Sequence, residues 1–479
     1  MLNWLNRHSK ILFPLALLIV ALIGMAALWQ STPFGLGLVN DSAYYMEGAA
    51  NLLAGRGYVR LSGGGELKPI THFPPLFSLL LVGFGLVGIE LLDGARLLIT
   101  LLFGLSILLV GGSIYKISRS AVFSLFGALL LAFSDVHLGV YSFALSEPLF
   151  LTLTLALFLS FTQSFEQQDW RWYLLTGILL SLAYLTRYAG ASLLITILLA
   201  VILLRLPFQP ASWRKRWLAR LPYREFLLIL GGAFLPILAW SLYNLSASQS
   251  GVLSNRLIAW HPPSLKLLFE AFKNLLTWLA PNELISRLPL IGRLLSLLSL
   301  ILLPGLLPWL VWVIWQRYRR QPPLGSHLVL AFTLALHIPV YLAFLIISLT
   351  FFDASTPLND RILSVIYIPE IILFASSLAW VWKLPIQQVK RLRWAVGTFC
   401  ALTLFFNLQD GISAMQQLQA QGQGFAHQGW RQSQTIQALR NLPQVTLYSN
   451  NPTAIYLLTG RSAYIIPTPN DSVTGLPRP

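Results

Sequence analysis

The sequence is dominated by long apolar runs that contain no charged residue. A helix that spans a bilayer needs about 20 such residues, whereas the strands of a membrane barrel show short alternating patterns. The clearest runs are residues 11–29, 97–115, 148–165, 188–204, 226–245, 294–316 and 328–350, and shorter or interrupted candidates are 120–134, 172–186, 362–382 and 394–407. We therefore expect an all-α polytopic membrane protein.

The composition supports this class and excludes several others. Of the 479 residues, 56% are hydrophobic and 10% are charged, against about 25% charged residues in a soluble domain. This balance excludes a soluble cytoplasmic enzyme, a nucleic-acid-binding module and a disordered chain. The net charge of +16 indicates basic cytoplasmic loops first and an anionic ligand second. The single cysteine, Cys400, excludes an internal disulfide.

The basic residues indicate which segments cross the membrane. Residues 76–89 are apolar enough to cross, but the cluster Lys116/Arg119 would then lie on the opposite side from Arg7 and Lys10. If 76–89 is a non-crossing interfacial helix, the basic groups share one side, as the positive-inside rule favours. We expect about eleven transmembrane helices, outer interfacial helices and an uncleaved first span with the amino terminus inside.

The outer side of this predicted topology carries the long loops. The first is 30–95, and the other pieces are 135–147, 246–292 and 351–361.

We divide the chain into a transmembrane domain, 1–407, and an extracytoplasmic carboxyl-terminal tail, 408–479. Apolar residues alternate around turn signals in the tail, which predicts a small α/β appendage. The expected location is the inner or plasma membrane, with the active site on the extracytoplasmic side.

The first outer loop contains the most informative segment, NDSAYYMEGAANLLAGRGY at residues 40–58. Asn40 or Asp41 can cap a helix that the two later glycines end. On one interpretation Asp41 is only this N-cap. On the other, its carboxylate is held at the membrane surface, where it meets a lipid-borne substrate. His72, in the segment ITHFPPLF, is either a hydrogen-bonded loop histidine or a site residue.

Two arginines depart from the basic-inside pattern. Arg187 and Arg361 lie at predicted outer ends of spans. Snorkelling of their side chains to the interface explains the position of each one alone. A phosphate near the outer interface would explain both.

A metal site is a further alternative. Asp135, His137 and Glu147 lie in one outer segment and can be combined with Asp41 as ligands, since oxygen ligands and imidazole suit divalent cations. The spacing does not require a metal. Glu147 precedes Pro148 and can simply begin a helix, where a carboxylate is favourable.

Together these segments resemble the GT-C class of polytopic glycosyltransferases, in particular the family 39-like branch with protein O-mannosyltransferases and aminoarabinose transferases. The resemblance covers roughly residues 10–410, and it rests on Asp41 in its segment, HFPPLF, SEP at Glu147, LTR at Arg187, and Arg361 before a span with Pro369. Ser42 follows Asp41, where some members carry an Asp-Glu pair, and this difference leaves the acceptor type open.

The resemblance implies a polyprenyl-phosphate sugar donor and a catalytic aspartate on the first outer loop. Asp41 would be the general base for the attacking acceptor hydroxyl. Arg187 and Arg361 would stabilise the leaving lipid phosphate, and in-line displacement would invert the anomeric centre. Further candidate substrate contacts are Tyr44, His72 and Glu147. The expected acceptor is a protein, lipid or glycan, and membrane lipids are the other expected partners. Nucleic acid is not an expected partner. A divalent metal is the one candidate cofactor.

Two other functions are weighed against this one. An O-antigen polymerase or ligase would also need outer arginines, for a lipid pyrophosphate, but would carry its large outer loop late in the chain. A lipid or sugar transporter predicts discontinuous helices and midplane charges in both halves. In the sequence, Glu370 is the only charged residue near the middle of a predicted span, and the two halves show no similarity.

Overall fold

A computed structural model describes residues 2–61, 66–205, 222–247, 260–278, 325–352, 356–443 and 445–467, with scattered residues between 286 and 316. Most of these residues are helical. The elements are α1 (Leu2–Ser31), α2 (Asn40–Leu53), β1 (Val59–Leu61), β2 (Leu67–Pro69), α3 (Leu76–Leu86), α4 (Leu91–Ser118), α5 (Ala121–Ala132), α6 (Asp135–Tyr141), α7 (Glu147–Gln167), α8 (Trp170–Thr186), α9 (Gly190–Arg205), α10 (Tyr223–Ala247), α11 (Leu265–Thr277), α12 (Ser326–Phe351), α13 (Asp360–Trp382), α14 (Ile386–Gln421), α15 (Gln428–Arg431), α16 (Gln434–Asn441), β3 (Tyr448–Ser449), α17 (Pro452–Thr459) and β4 (Tyr464–Ile465).

The predicted all-α polytopic membrane class is confirmed. Among the described residues, seven helices are long and apolar enough to cross a membrane, or eight if the bent pair α5 and α6 forms one span. The count is lower than the predicted eleven for identifiable reasons. The predicted spans 172–186 and 188–204 form α8 and α9, which have only 17 and 16 residues. The predicted span 294–316 lies almost wholly outside the described residues.

Glycines allow the short helix α8 to pack closely against the longer α10. A Cβ on Gly177 of α8 would meet the backbone of Ile229 and Gly232, and a Cβ on Gly232 would meet the carbonyl of Leu174. Small residues at such crossings let two backbones approach and gain van der Waals contact without a hydrophobic driving force. The pairing gives α8 a fixed partner despite its length.

The first outer loop folds into short elements beside the bundle. β1 and β2 pair antiparallel, with Arg60 opposite Lys68. Helix α3 has 11 residues and at about 1.5 Å per residue is far shorter than the ~30 Å hydrocarbon core. Its length agrees with the predicted non-crossing helix at 76–89.

Several basic residues meet at one end of the bundle. At one end, the Lys116 ammonium lies 2.7 Å from the Glu166 carboxylate, the Lys383 ammonium donates to the carbonyl of Ser118, and Arg205 donates to Gln168. These contacts bring together the ends of α4, α7, α9 and α13, and they collect basic residues that the sequence analysis assigns to one side. The loops of the first outer segment lie at the other end.

The carboxyl-terminal segment forms the small α/β unit that the sequence predicts. Strands β3 and β4 pair parallel on either side of α17 in the chain. The unit is joined to the first outer loop by a backbone bridge between Leu38 and Gly424, and α17 packs against α2. Helix α14 runs without a break through the position where we divided the chain, between residues 407 and 408. The domain boundary itself stays a prediction.

Candidate active site

Four helix ends bring the predicted charged residues together. Asp41 lies in the first turn of α2, Glu147 begins α7, Arg187 follows the last residue of α8, and Arg361 lies in the first turn of α13. Three of these ends are amino termini, whose unpaired N–H groups carry partial positive charge. The site therefore combines two arginines with three helix ends that favour anions.

Neither Asn40 nor Asp41 is the N-cap of α2, so the interpretation of Asp41 as only an N-cap is wrong. The N-cap is Val39, with an extended backbone, and the side chain of Ser42 accepts a hydrogen bond from the Val39 N–H at 3.1 Å. Because Ser42 already pairs with the Val39 N–H, which has no partner within the helix, the carboxylate of Asp41 is available for another contact. The predicted end of the helix is correct, since it stops at Leu53 before Gly55, which has a positive φ of 71°.

Arg361 joins the two acidic residues. Its Nη2 donates to Asp41 and its Nε donates to Glu147. A second arginine, Arg187, lies 2.8 Å from the same Oε1 atom of Glu147. The Glu147 side chain is only 2% exposed, whereas Asp41 and Arg361 are each 29% exposed. Glu147 is thus the buried centre of the cluster, and the Asp41–Arg361 pair is its solvent-facing part.

A tyrosine and a serine support the cluster. The Tyr45 hydroxyl lies 2.7 Å from the Ser146 hydroxyl, which also accepts a hydrogen bond from Arg187 at 3.3 Å. Burial raises the pKa of Tyr45 well above its ordinary value, so this phenol stays neutral. Tyr45 can therefore position Ser146 and Arg187 but does not add charge to the site.

The Asp41–Arg361 pair faces a cavity of about 320 Å³. Its polar lining includes Asp41, Tyr45, His72, Arg187 and Arg361. A second cavity, of about 420 Å³, lies on another side of Arg361 and is lined by Asp135 and Asp360. The two cavities differ in charge, because the first contains two arginines and one carboxylate and the second contains two carboxylates and one arginine.

The predicted substrate contacts have different positions. His72, Arg187 and Arg361 line the first cavity. Glu147 does not line it and lies behind the two arginines. Tyr44 does not line it either: its ring packs against Phe73, with a centroid distance of 4.6 Å, and under the Arg60 guanidinium.

Tyr45 is a cavity residue that the sequence analysis missed. Both Tyr44 and Tyr45 lie within one helical turn of Asp41, three and four residues after it, so spacing alone does not distinguish them. Tyr44 lies about 100° away from Tyr45 around the same helix. Ser146 had no comparable signal, since its role depends on a hydrogen bond between residues 101 positions apart.

The proposed metal ligands do not converge. Among the residues that the structure describes, no group of three or more His, Cys, Asp and Glu side chains is arranged to hold a metal ion. Asp135 lines the second cavity. His137 is completely buried and its Nδ1 lies 3.0 Å from the hydroxyl of Ser134. These two residues face different surroundings although they are two positions apart.

Comparison with known proteins finds a family match over part of the chain and solved structures with the same fold. A family model described as dolichyl-phosphate-mannose-protein mannosyltransferase matches residues 72–240. This range includes His72, Glu147 and Arg187 but neither Asp41 nor Arg361, and it covers less than half of the chain. No curated protein matches the sequence.

Solved structures share the fold at low sequence identity. ArnT from Cupriavidus metallidurans, bound to undecaprenyl phosphate, matches with a TM-score of 0.52 and 12% identity over 94% of this chain and 85% of that one. The Archaeoglobus fulgidus oligosaccharyltransferase, tethered to an acceptor peptide, matches with a TM-score of 0.54 and 12% identity. The match covers 97% of this chain but only 65% of the oligosaccharyltransferase. These matches confirm the expected GT-C fold, and the family match covers residues 72–240 of this chain.

Proposed function

We propose that the protein transfers a sugar from a polyprenyl-phosphate donor to an acceptor hydroxyl, with Asp41 as general base. The observation that carries this proposal is the bridge from Arg361 to Asp41 and Glu147 at the wall of a cavity that Arg187 also lines. It places a carboxylate for proton transfer beside two cations for a phosphate, which are the two groups that such a transfer needs.

The donor phosphate fits the first cavity best on electrostatic grounds. Two arginines line that cavity, whereas Asp135 and Asp360 would repel a phosphate from the second. Guanidinium groups bind phosphate oxygens with paired hydrogen bonds. Two known structures of the same fold hold related lipids: ArnT is bound to undecaprenyl phosphate, and the archaeal oligosaccharyltransferase AglB is in complex with a dolichol-phosphate.

Donor binding would also release the base. Arg361 donates a hydrogen bond to the Asp41 carboxylate. The cluster of two carboxylates and two guanidiniums is formally neutral, so an added phosphate competes with Asp41 for Arg361. Asp41 is 29% exposed and can turn towards an acceptor once Arg361 binds the phosphate, while buried Glu147 keeps Arg187 in place.

The chemical step is then a single displacement. The acceptor oxygen bonds to the anomeric carbon, its proton passes to the Asp41 carboxylate, and the bond between that carbon and the phosphate oxygen breaks. The phosphate takes the electron pair and becomes more negative beside Arg187 and Arg361, where fixed cations stabilise the developing charge. Attack from the face opposite the leaving group inverts the configuration.

The site is assigned to the extracytoplasmic face of the membrane. Lys116, Lys383 and Arg205 gather at the opposite end of the bundle, and a basic end is typical of the cytoplasmic side. The donor is lipid-linked and the acceptor is a protein, lipid or glycan hydroxyl. A peptide acceptor has a precedent in the fold, since the oligosaccharyltransferase structure holds an acceptor peptide.

A direct test is to incubate membranes containing the protein with a panel of polyprenyl-phosphate sugars, each labelled in the sugar. We expect one donor to transfer label to an acceptor fraction, with release of polyprenyl phosphate in equal amount. Transfer of the sugar together with its phosphate, with release of free polyprenol, would show attack at phosphorus and would contradict the proposed displacement at the anomeric carbon. Movement of intact donor across the membrane without cleavage would support the transporter alternative.

A further inference from the structure

A third cavity lies apart from the candidate active site, between the bundle and the carboxyl-terminal unit. Its volume is about 380 Å³, and it shares no lining residue with the first cavity. Most of its wall is apolar: the lining includes Leu36, Leu38, Leu92, Phe425 and Leu457. A cavity of this size and character accommodates part of an acyl chain.

Two arginines give this apolar cavity a cationic rim. Arg431 donates to the carbonyl of Phe34 at 2.6 Å, and Arg440 donates to the carbonyl of Leu458 at 2.9 Å. Among the residues that the structure describes, neither arginine forms an ion pair with a carboxylate. Neutral carbonyls position the two guanidiniums but do not balance their charge, so the rim attracts an anion.

The cavity lies where a lipid headgroup would meet the protein. It opens beside the carboxyl end of α1 and the start of α4, at the same end of the bundle as Asp41. Close by, the Arg96 guanidinium lies 3.9 Å from the centroid of the Trp29 ring. Tryptophan with arginine is typical of the membrane–water interface, so this contact marks the approximate level of the surface.

We propose that this cavity binds an anionic phospholipid, with the phosphate between Arg431 and Arg440 and an acyl chain against the leucines. The lipid would join the carboxyl-terminal unit to the bundle, because Arg431 and Arg440 belong to the former and Leu92 to the latter. The site is also connected to the first outer loop. The Leu38 carbonyl accepts a hydrogen bond from Phe425 at 2.7 Å, and Leu38 precedes Asp41 by three residues.

Binding is tested with the full chain in detergent, by native mass spectrometry with phosphatidylglycerol and phosphatidylcholine. We expect the wild type to prefer phosphatidylglycerol over phosphatidylcholine by at least tenfold. The double variant Arg431→Ala/Arg440→Ala should show almost no preference between the two lipids. The matched control is Arg461→Ala, because Arg461 also donates to a backbone carbonyl of the same unit, that of Leu439, but does not line the cavity. This control should keep the preference.

A second variant leaves both arginines in place. Leu92→Trp fills the apolar part of the cavity and should reduce the preference for long-chain over dihexanoyl phosphatidylglycerol by about tenfold. An unchanged lipid preference in the double arginine variant would overturn the proposal, and so would an equal loss in Arg461→Ala. Thermal stabilisation by inorganic phosphate equal to that by phosphatidylglycerol would also overturn it, since a free anion would then be the ligand. These readouts do not depend on sugar transfer.

Discussion

The guanidinium of Arg361 is hydrogen-bonded to the carboxylate of Asp41, although 320 positions separate the two residues in the sequence. The contact joins the first turns of α2 and α13 and closes the wall of the cavity that Arg187 and His72 also line. Both side chains remain partly exposed, so the pair can open to a ligand. In our account, the donor phosphate opens it.

Replacing Arg361 should affect the donor more than the acceptor. Arg361→Ala removes a charge-assisted hydrogen bond to the phosphate, worth about 1.5–3 kcal/mol, so the KM for the donor should rise by roughly ten- to a hundredfold. The KM for the acceptor should change little. Initial rates at varied donor and acceptor concentrations measure both constants.

The matched control for this variant is Arg96→Ala. Arg96 lies at the same end of the bundle and donates to the carbonyl of Trp29, but it does not line the cavity. Its replacement should leave the donor KM unchanged. If Arg361→Ala raised both KM values equally, its role would be structural.

Glu147 should matter for stability as well as for activity. Glu147→Gln leaves Arg187 without its charged partner, and removal of one partner from a buried ion pair costs about 3–5 kcal/mol. Glu166→Gln is the control, because its ion pair with Lys116 is 41% exposed on the glutamate side and such pairs contribute about 1 kcal/mol or less. The free energy of unfolding of each variant is measured in mixed detergent micelles. An equal loss of stability in the two variants would show that the Glu147 ion pairs contribute no more than an exposed pair does.

The stability of the first outer loop should depend on pH through Glu47. Burial raises the pKa of this carboxyl above its ordinary 4.5, although its hydrogen bond from the Leu61 N–H and the nearby Arg60 oppose the shift. A raised folded-state pKa means that the folded chain binds the proton more tightly than the unfolded chain does. Glu47 therefore contributes stability below about pH 4.5 and loses it as the pH rises through the folded-state pKa.

Glu47→Gln isolates this contribution, since a glutamine oxygen can still accept the Leu61 N–H. Relative to the variant, the wild type should lose thermal stability as the pH rises above about 4.5. Melting temperatures measured between pH 4 and pH 7 test this expectation. Parallel curves for the two proteins would rule out a burial effect on Glu47.

The predicted topology is tested by cysteine labelling in a Cys400→Ser background. Glu66 lies beside β2 in the first outer loop, and Lys390 lies near the start of α14, close after the basic end of α13. A membrane-impermeant thiol reagent applied to intact cells should label Glu66→Cys, and Lys390→Cys only after permeabilisation. Labelling of both in intact cells would contradict the assigned orientation.

The sequence predicts those features of this protein that follow from local physics. Uncharged runs of sufficient length define most spans, and the charge rule separates Arg187 and Arg361 from the basic clusters that include Lys116, Arg205 and Lys383. Three-dimensional placement could not be predicted in the same way. Nothing local shows that Ser42 replaces Asp41 as the capping group, or that Glu147 lies behind both arginines.

The role of Asp41 is the central claim, and Asp41→Asn tests it most directly in a single-turnover assay, with the enzyme in excess of labelled donor and the acceptor saturating. We expect the rate of sugar transfer to fall by about 10²–10⁴-fold, the usual contribution of a general base, while donor binding is retained or strengthened because Arg361 is released. Asp93→Asn, in the first turn of α4, should transfer at the wild-type rate. A transfer rate for Asp41→Asn equal to that of the wild type would contradict the account.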